Sequence, residues 1–277
     1  MPVCKNCQNT FTGKYCNECG EKAYSEHDRS LSHVVHEFSH LTLHFDSKIF
    51  TSIKTIFSKP GLLSKDFCDG KRKKYYPPVS LFLVMVILYL IFPVFRGLNL
   101  PLNYYRDFYG RASRQMIEEK MAKEEIQFDR LAEKYEKVSE KTAKILLFLV
   151  IPMSAIPLYL IFYWKRKYLF DSIILSAELN TTFIFVIFFM IPLLILLAFH
   201  LFHLPAGNEN KFKGDLGASI LFYFVVTGLF FPAAIHRFYE IGWAKTILAY
   251  LVFIVCHATI IFVIYRYILF HVTMALV

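Results

Sequence analysis

Residues 1–22 have almost nothing from which to build a hydrophobic core: Val3, Phe11 and Tyr15 are the sizeable apolar side chains. A segment so small does not fold on burial alone and needs a metal or a cross-link. Residues 1–78 contain no continuous apolar run of the kind that heads a secretory signal, so none is expected before the cysteines. The chain carries no phosphate-cradling glycine loop, nucleophile elbow, dinucleotide fingerprint or internal repeat. It also has no basic helix or base-stacking module, so nucleic acid is not expected as a partner. Charge is absent altogether from residues 79–95 and sparse in four later runs. These absences point away from soluble enzyme classes and towards a membrane protein.

What is present agrees. Of 277 residues, 56% are hydrophobic, with 29 phenylalanines and 17 tyrosines; a soluble domain averages about 45–50%. The apolar residues gather in runs at 79–95, 145–163, 181–204, 216–235 and 244–268. Each is long enough to cross about 30 Å of hydrocarbon at 1.5 Å per residue. The expected fold class is an all-α transmembrane helical bundle of about five spans. A small four-cysteine zinc ribbon and an amphipathic interfacial helix precede it. The expected divisions are a ribbon at 1–22, an amphipathic helix at 30–58, a basic juxtamembrane segment at 59–78 and a bundle at 79–277 that includes a polar helical loop at 96–144.

The ribbon rests on spacing. Cys4 and Cys7 form one Cys-x-x-Cys pair, and Cys16 and Cys19 form a second. Two such knuckles present four sulfurs to one tetrahedral Zn²⁺. Gly20 follows the second pair where a turn often needs positive φ, and Gly13 suits the hairpin between the knuckles. Disulfides are the competing reading, but a cytosolic N-terminus disfavours them. A redox pair would open a helix in a βαβ unit, which is absent. Four thiolates leave no open position, so the zinc would be structural and the ribbon a docking module for a protein partner.

Between residues 30 and 58 apolar residues fall on one helical stripe, with His33, His36, His40 and His44 on the opposite side. Such a helix lies on the membrane or packs against the bundle. His36-Glu37-Phe38-Ser39-His40 fits the H-E-x-x-H pattern, in which i,i+4 histidines hold zinc and the glutamate activates its water. A third ligand and a substrate cleft are not recognisable. The histidine face therefore has three readings: a solvated surface, a second metal or pH-sensing face, or a protease site.

Lys71, Arg72, Lys73, Lys74, Tyr75 and Tyr76 stand before the first run. Cations favour anionic headgroups and tyrosines the interface, so contact with a bilayer of anionic lipid is expected. Within 96–144, residues 117–138 follow a short heptad pattern, which suggests a helical extension of the second span and pairing in a homodimer. Glu178 forms an intramembrane polar site with His236 and Arg237, or else reaches the headgroups. His257 reads as a hydrogen-bonded bundle residue. Reduced cysteines and the dominance of the first span place the N-terminus in the cytosol, although the eleven cations of residues 96–144 then lie outside.

The order of these features resembles a bacterial family of uncharacterised membrane proteins with an N-terminal zinc ribbon, catalogued as a domain of unknown function. The resemblance rests on Cys4-x-x-Cys7, on Tyr15-Cys16-x-x-Cys19-Gly20, and on Lys59-Pro60-Gly61. It continues through Phe67-x-x-Gly70 and the Lys71–Pro78 stretch, and more weakly around Glu178. It implies a zinc-binding, multi-span protein of the bacterial inner membrane and supplies no activity. The leading expectation is a non-enzymatic adaptor or assembly protein. The alternatives are a small-solute or ion transporter using Glu178 with His236 or Arg237, and a metalloprotease using His36, Glu37 and His40.

Overall fold

The computed structural model describes residues 1–24, 47–91, 100–201 and 216–277. Residues 33–44, with the histidine face and the H-E-x-x-H pattern, lie outside the described residues. Among the described residues all regular structure is helical, apart from isolated antiparallel bridges at Val3–Thr10 and Tyr15–Lys22.

Helix α1 spans Ser47–Ser58 and α2 spans Leu62–Cys68. Helix α3, Pro78–Ile91, starts on a proline, whose missing N–H costs nothing in a first turn. Four stretches are long and apolar enough to cross a membrane: Phe128–Phe162, Leu169–Leu194, Ile220–Tyr239 and Trp243–Leu276. The expected first span is described as far as Ile91, as the shorter apolar helix α3.

Beyond α3 lie α4 (Leu102–Phe108) and α5 (Arg111–Glu124). Then α6 (Phe128–Leu146), one 3-10 turn and α7 (Val150–Phe162) make a continuous rod. At 35 residues this rod is about 52 Å long, so it outruns the hydrocarbon by some 20 Å. The second span thus does extend into the polar connection.

Helix α8 (Leu169–Phe185) passes through a π turn at Val186–Met190 into α9 (Ile191–Leu201). The wider turn sits where Pro192 cannot donate and would clash with a carbonyl one turn back. Helix α10 is Leu216–Tyr239. Helix α11 (Trp243–Thr259) runs through a second π turn, Ile260–Ile264, into α12 (Tyr265–Leu276).

Helix α8 is the centre of the bundle, packed by α2, α3, α7 and α10. The third span was expected to begin at Thr181. It begins at Leu169 instead, because the polar run feeds its own helix. The Thr181 hydroxyl donates to the Ala177 carbonyl at 2.7 Å, that of Thr182 to the Glu178 carbonyl at 2.9 Å, and the Asn180 amide to the Ser176 carbonyl at 2.9 Å. Glu178 therefore lies two turns inside the helix rather than at its mouth.

The heptad seam is also placed differently. Glu125 takes a left-handed conformation (φ 52°) and the Ile126 amide closes on the Met121 carbonyl, so α5 and α6 are separate helices. Ile117, Leu131 and Tyr135 are buried with Leu102 and Tyr105 against Phe270 and Met274 of α12. The apolar surface expected to pair two copies is largely covered within one chain.

Candidate functional site

The two cysteine knuckles repeat one local pattern. The Cys4 amide donates to the Asn9 carbonyl and the Cys16 amide to the Glu21 carbonyl, both at 2.8 Å. Each loop closes on a residue with positive φ, Gln8 at 64° and Gly20 at 70°. The four sulfurs lie within 4.8 Å of one another, with Cys4–Cys19 at 3.5 Å and Cys7–Cys16 at 3.6 Å. A tetrahedral metal with bonds of about 2.3 Å sets its sulfurs about 3.8 Å apart. The donor set fits such an ion closely, with all four positions taken by protein.

The local amides prepare the sulfurs for this. The Glu21 N–H, the Asn6 side chain and the neighbouring thiols lower Cys19 to about 7, and the Cys19 N–H lowers Cys16. Four sulfurs cannot all ionise without a cation. Although the Asn9 amide favours its thiolate, Cys7 is pushed up to about 12 by desolvation and by the other thiols.

The ribbon is fastened to the juxtamembrane segment. Buried Glu21 accepts the backbone N–H of Lys73 at 2.7 Å. The Lys73 side chain runs past Gly20, and the Tyr24 ring lies so close to Gly70 that a Cβ there would meet it at 2.8 Å. Gly70 also has φ 94°.

This segment is less free for lipid than its composition suggests. Lys71 pairs with Asp66 at 2.9 Å. Arg72 donates to the Phe67 carbonyl and stands over the Phe67 ring at 5.0 Å. Lys74 lies over the Tyr75 ring at 4.9 Å. Tyr75 is turned into the protein: it is 2% exposed, and its hydroxyl donates to Asp66 at 3.0 Å. Desolvation, with the Asp66 carboxylate behind it, pushes its phenol up. The Tyr76 amide donates to the Ser52 hydroxyl at 2.9 Å, which ties α1 to the same knot.

A second centre lies deeper. Glu178 is 1% exposed, and its two oxygens accept the backbone N–H groups of Gly61 at 2.6 Å and Ser64 at 2.8 Å. These are orphan amides at the start of α2, where a helix favours negative charge. The Ser64 hydroxyl adds a bond to the Ile174 carbonyl. Arg237 donates to the Pro60 carbonyl, and its charge acts on Glu178. Gly61 has φ 82° and packs directly on α10, so a Cβ there would stand 2.4 Å from the Ala234 carbonyl oxygen.

The turn at 59–61 thus enters the bundle. Phe57 packs between Phe185, tilted to it, and Phe230, edge-on to it, with centroids at 5.3 and 5.5 Å. Nonhelical backbone inside a packed bundle survives where protein satisfies its polar groups, and Glu178 does so here. Both oxygens of Glu178 are thus taken up inside the protein. Of its expected partners, Arg237 is adjacent, whereas His236 stacks on Trp243 with centroids 4.2 Å apart.

Ion pairs at the same end of the bundle lock these elements: Lys65 to Glu240, and Arg166 to Asp69 at 3.1 Å and Asp171 at 3.7 Å. His257 is a bundle residue, as expected. Its Nδ1 meets the Tyr223 hydroxyl at 2.7 Å and its Nε2 the Asn180 oxygen at 3.3 Å. Because the Asn180 amide group donates within its own helix, its oxygen faces His257. That geometry selects the neutral tautomer with its proton on Nε2. Sequence reasoning missed Gly61, Ser64 and Glu21 as functional contacts; only the glycine's turn signal marked one of them.

No curated protein and no solved structure matches the chain. Residues 46–90 match the model of a family described as a protein of unknown function, DUF3667. That match holds the turn at Pro60-Gly61, helix α2 and the basic segment, but neither the ribbon nor Glu178. Over its juxtamembrane segment the chain is similar to this family.

Proposed function

We propose that the protein is a non-enzymatic membrane adaptor or assembly factor of the bacterial inner membrane, with a cytosolic N-terminal ribbon as its docking module. The metal is zinc, which four thiolates in a closed tetrahedron favour over harder or redox-active ions. The observation that carries this reading is the Glu21–Lys73 bond with the Tyr24–Gly70 contact. They hold the ribbon against the bundle while Val3 and Tyr15 stay exposed. A closed metal site on a fixed mount suits presentation of a surface, not turnover. Glu178 supports the same reading, since both its oxygens serve backbone amides of the mount.

A photo-crosslinking residue in place of Tyr15 tests it in cells. The expected result is a discrete protein adduct that disappears when Cys4 and Cys7 are replaced with serine. Solute uptake that depends on the Glu178 carboxylate, with no ribbon-dependent adduct, overturns the reading in favour of a transporter.

A further inference from the structure

Buried cations at the ribbon end of the bundle are paired, as Arg166 is with Asp69 and Asp171. Arg266, at the opposite end, is not. It is 6% exposed, its Nε has no hydrogen-bond partner, and no carboxylate among the described residues pairs with it. Its guanidinium stands over the Phe262 ring at 5.1 Å. Two phenols brace its backbone: Tyr105 donates to the Arg266 carbonyl at 3.4 Å and Tyr109 to the Phe262 carbonyl at 3.0 Å. Both carbonyls belong to or adjoin the π turn, whose wider winding loosens the helical ladder.

A buried guanidinium Nε left without an acceptor is costly, and a guanidinium's rigid fork matches paired anionic oxygens. Depth identifies the level. From Trp243 to Arg266 the helix rises about 35 Å, slightly more than the hydrocarbon. With Trp243 in one headgroup layer, Arg266 lies in the other, and its neighbour Tyr267 is exposed there.

We propose that Arg266 binds a phosphate group at the headgroup layer away from the ribbon. The phosphate comes from a phospholipid, or from inorganic phosphate that enters from water; the chemistry at the guanidinium is the same.

The test uses the full chain in maltoside detergent, which carries no phosphate, as wild type, Arg266→Gln and Arg266→Lys. The probes are dioleoylphosphatidylglycerol, a galactolipid without phosphate, and inorganic phosphate. Thermal unfolding and lipid retained in native mass spectrometry are read. Phosphatidylglycerol should raise the wild-type midpoint by several degrees and the galactolipid should not. Arg266→Gln should lose that rise and the retained lipid, and Arg266→Lys should keep part. A rise with inorganic phosphate alone, lost in Arg266→Gln, assigns the free anion. The proposal is overturned if no phosphate probe acts, or if wild type and Arg266→Gln respond alike. Should Arg266→Gln not accumulate, equal lipid retention by wild type and Arg266→Lys overturns it.

Discussion

Glu178 and Gly61 are 117 positions apart in sequence and meet at 2.6 Å, carboxylate oxygen to backbone amide. With the Ser64 amide on the second oxygen, this bond seats the turn at 59–61 between α8 and α10. The juxtamembrane segment is thereby part of the bundle, and the ribbon that rests on it is mounted on the bundle in turn.

Glu178→Gln should weaken this seat. The glutamine offers one acceptor where two are used, and leaves an amide N–H facing a buried amide N–H. The expected loss is about 1–3 kcal/mol. Gly61→Ala should be at least as damaging, because left-handed φ costs a β-carbon of order 1–3 kcal/mol and the Ala234 carbonyl blocks its place. Denaturation in detergent micelles measures both, and a near-neutral Gly61→Ala would contradict the close approach.

Wherever the ribbon keeps its fold without metal, Cys19 should be the thiol that ionises with a midpoint of about 7, because the Glu21 amide is held against it only in the folded loop. Its depressed value means that the thiolate's contribution to ribbon stability is complete above the ordinary thiol range and is lost as pH falls through about 7. Iodoacetamide trapping followed by peptide mass analysis, across pH 5–9, gives the midpoint directly. A midpoint at the ordinary thiol value would show that the ribbon opens without its metal and the Glu21 amide no longer reaches the thiol.

Metal removal should act locally. Replacing Cys4 and Cys7 with serine should abolish stoichiometric metal and make residues 1–24 protease-sensitive while the bundle's helicity persists, since the ribbon core is little more than Cys4, Phe11 and Cys16. Retained metal at one ion per chain would move the metal site to the His33, His36, His40 and His44 face.

The parts legible in the sequence are those fixed by near neighbours. Cysteine spacing specifies a metal geometry within a few residues, and apolar runs specify helices in lipid without reference to one another. The rest depended on partners far along the chain. Nothing around Glu178 announces that its acceptors will serve amides from residues 61 and 64. The 117–138 seam read as an interface because Phe270 and Met274, which cover it, come more than a hundred residues later. Tyr75 and Lys71 have the composition of a headgroup comb, yet Asp66 binds both and Tyr75 is buried against it.

Topology follows from an exposed position on the polar layer formed by α4, α5 and the free end of α6. Ala112 is exposed, whereas Ser113 beside it is buried. Ala112→Cys should react with a membrane-impermeant maleimide on intact cells if the ribbon is cytosolic. Labelling only after lysis would invert the orientation.

Both acidic side chains that hold the mount, Glu21 and Glu178, bind main-chain amides. What they recognise is therefore the path of the backbone and not the identity of the residues along it. At position 73 this grip tolerates any side chain and excludes proline alone, because proline has no N–H to give. At that position sequence drift can proceed under an unchanged architecture, whereas its neighbours are held by what they are: Gly70 by its φ of 94° beside the Tyr24 ring, and Lys71 and Tyr75 by their bonds to Asp66.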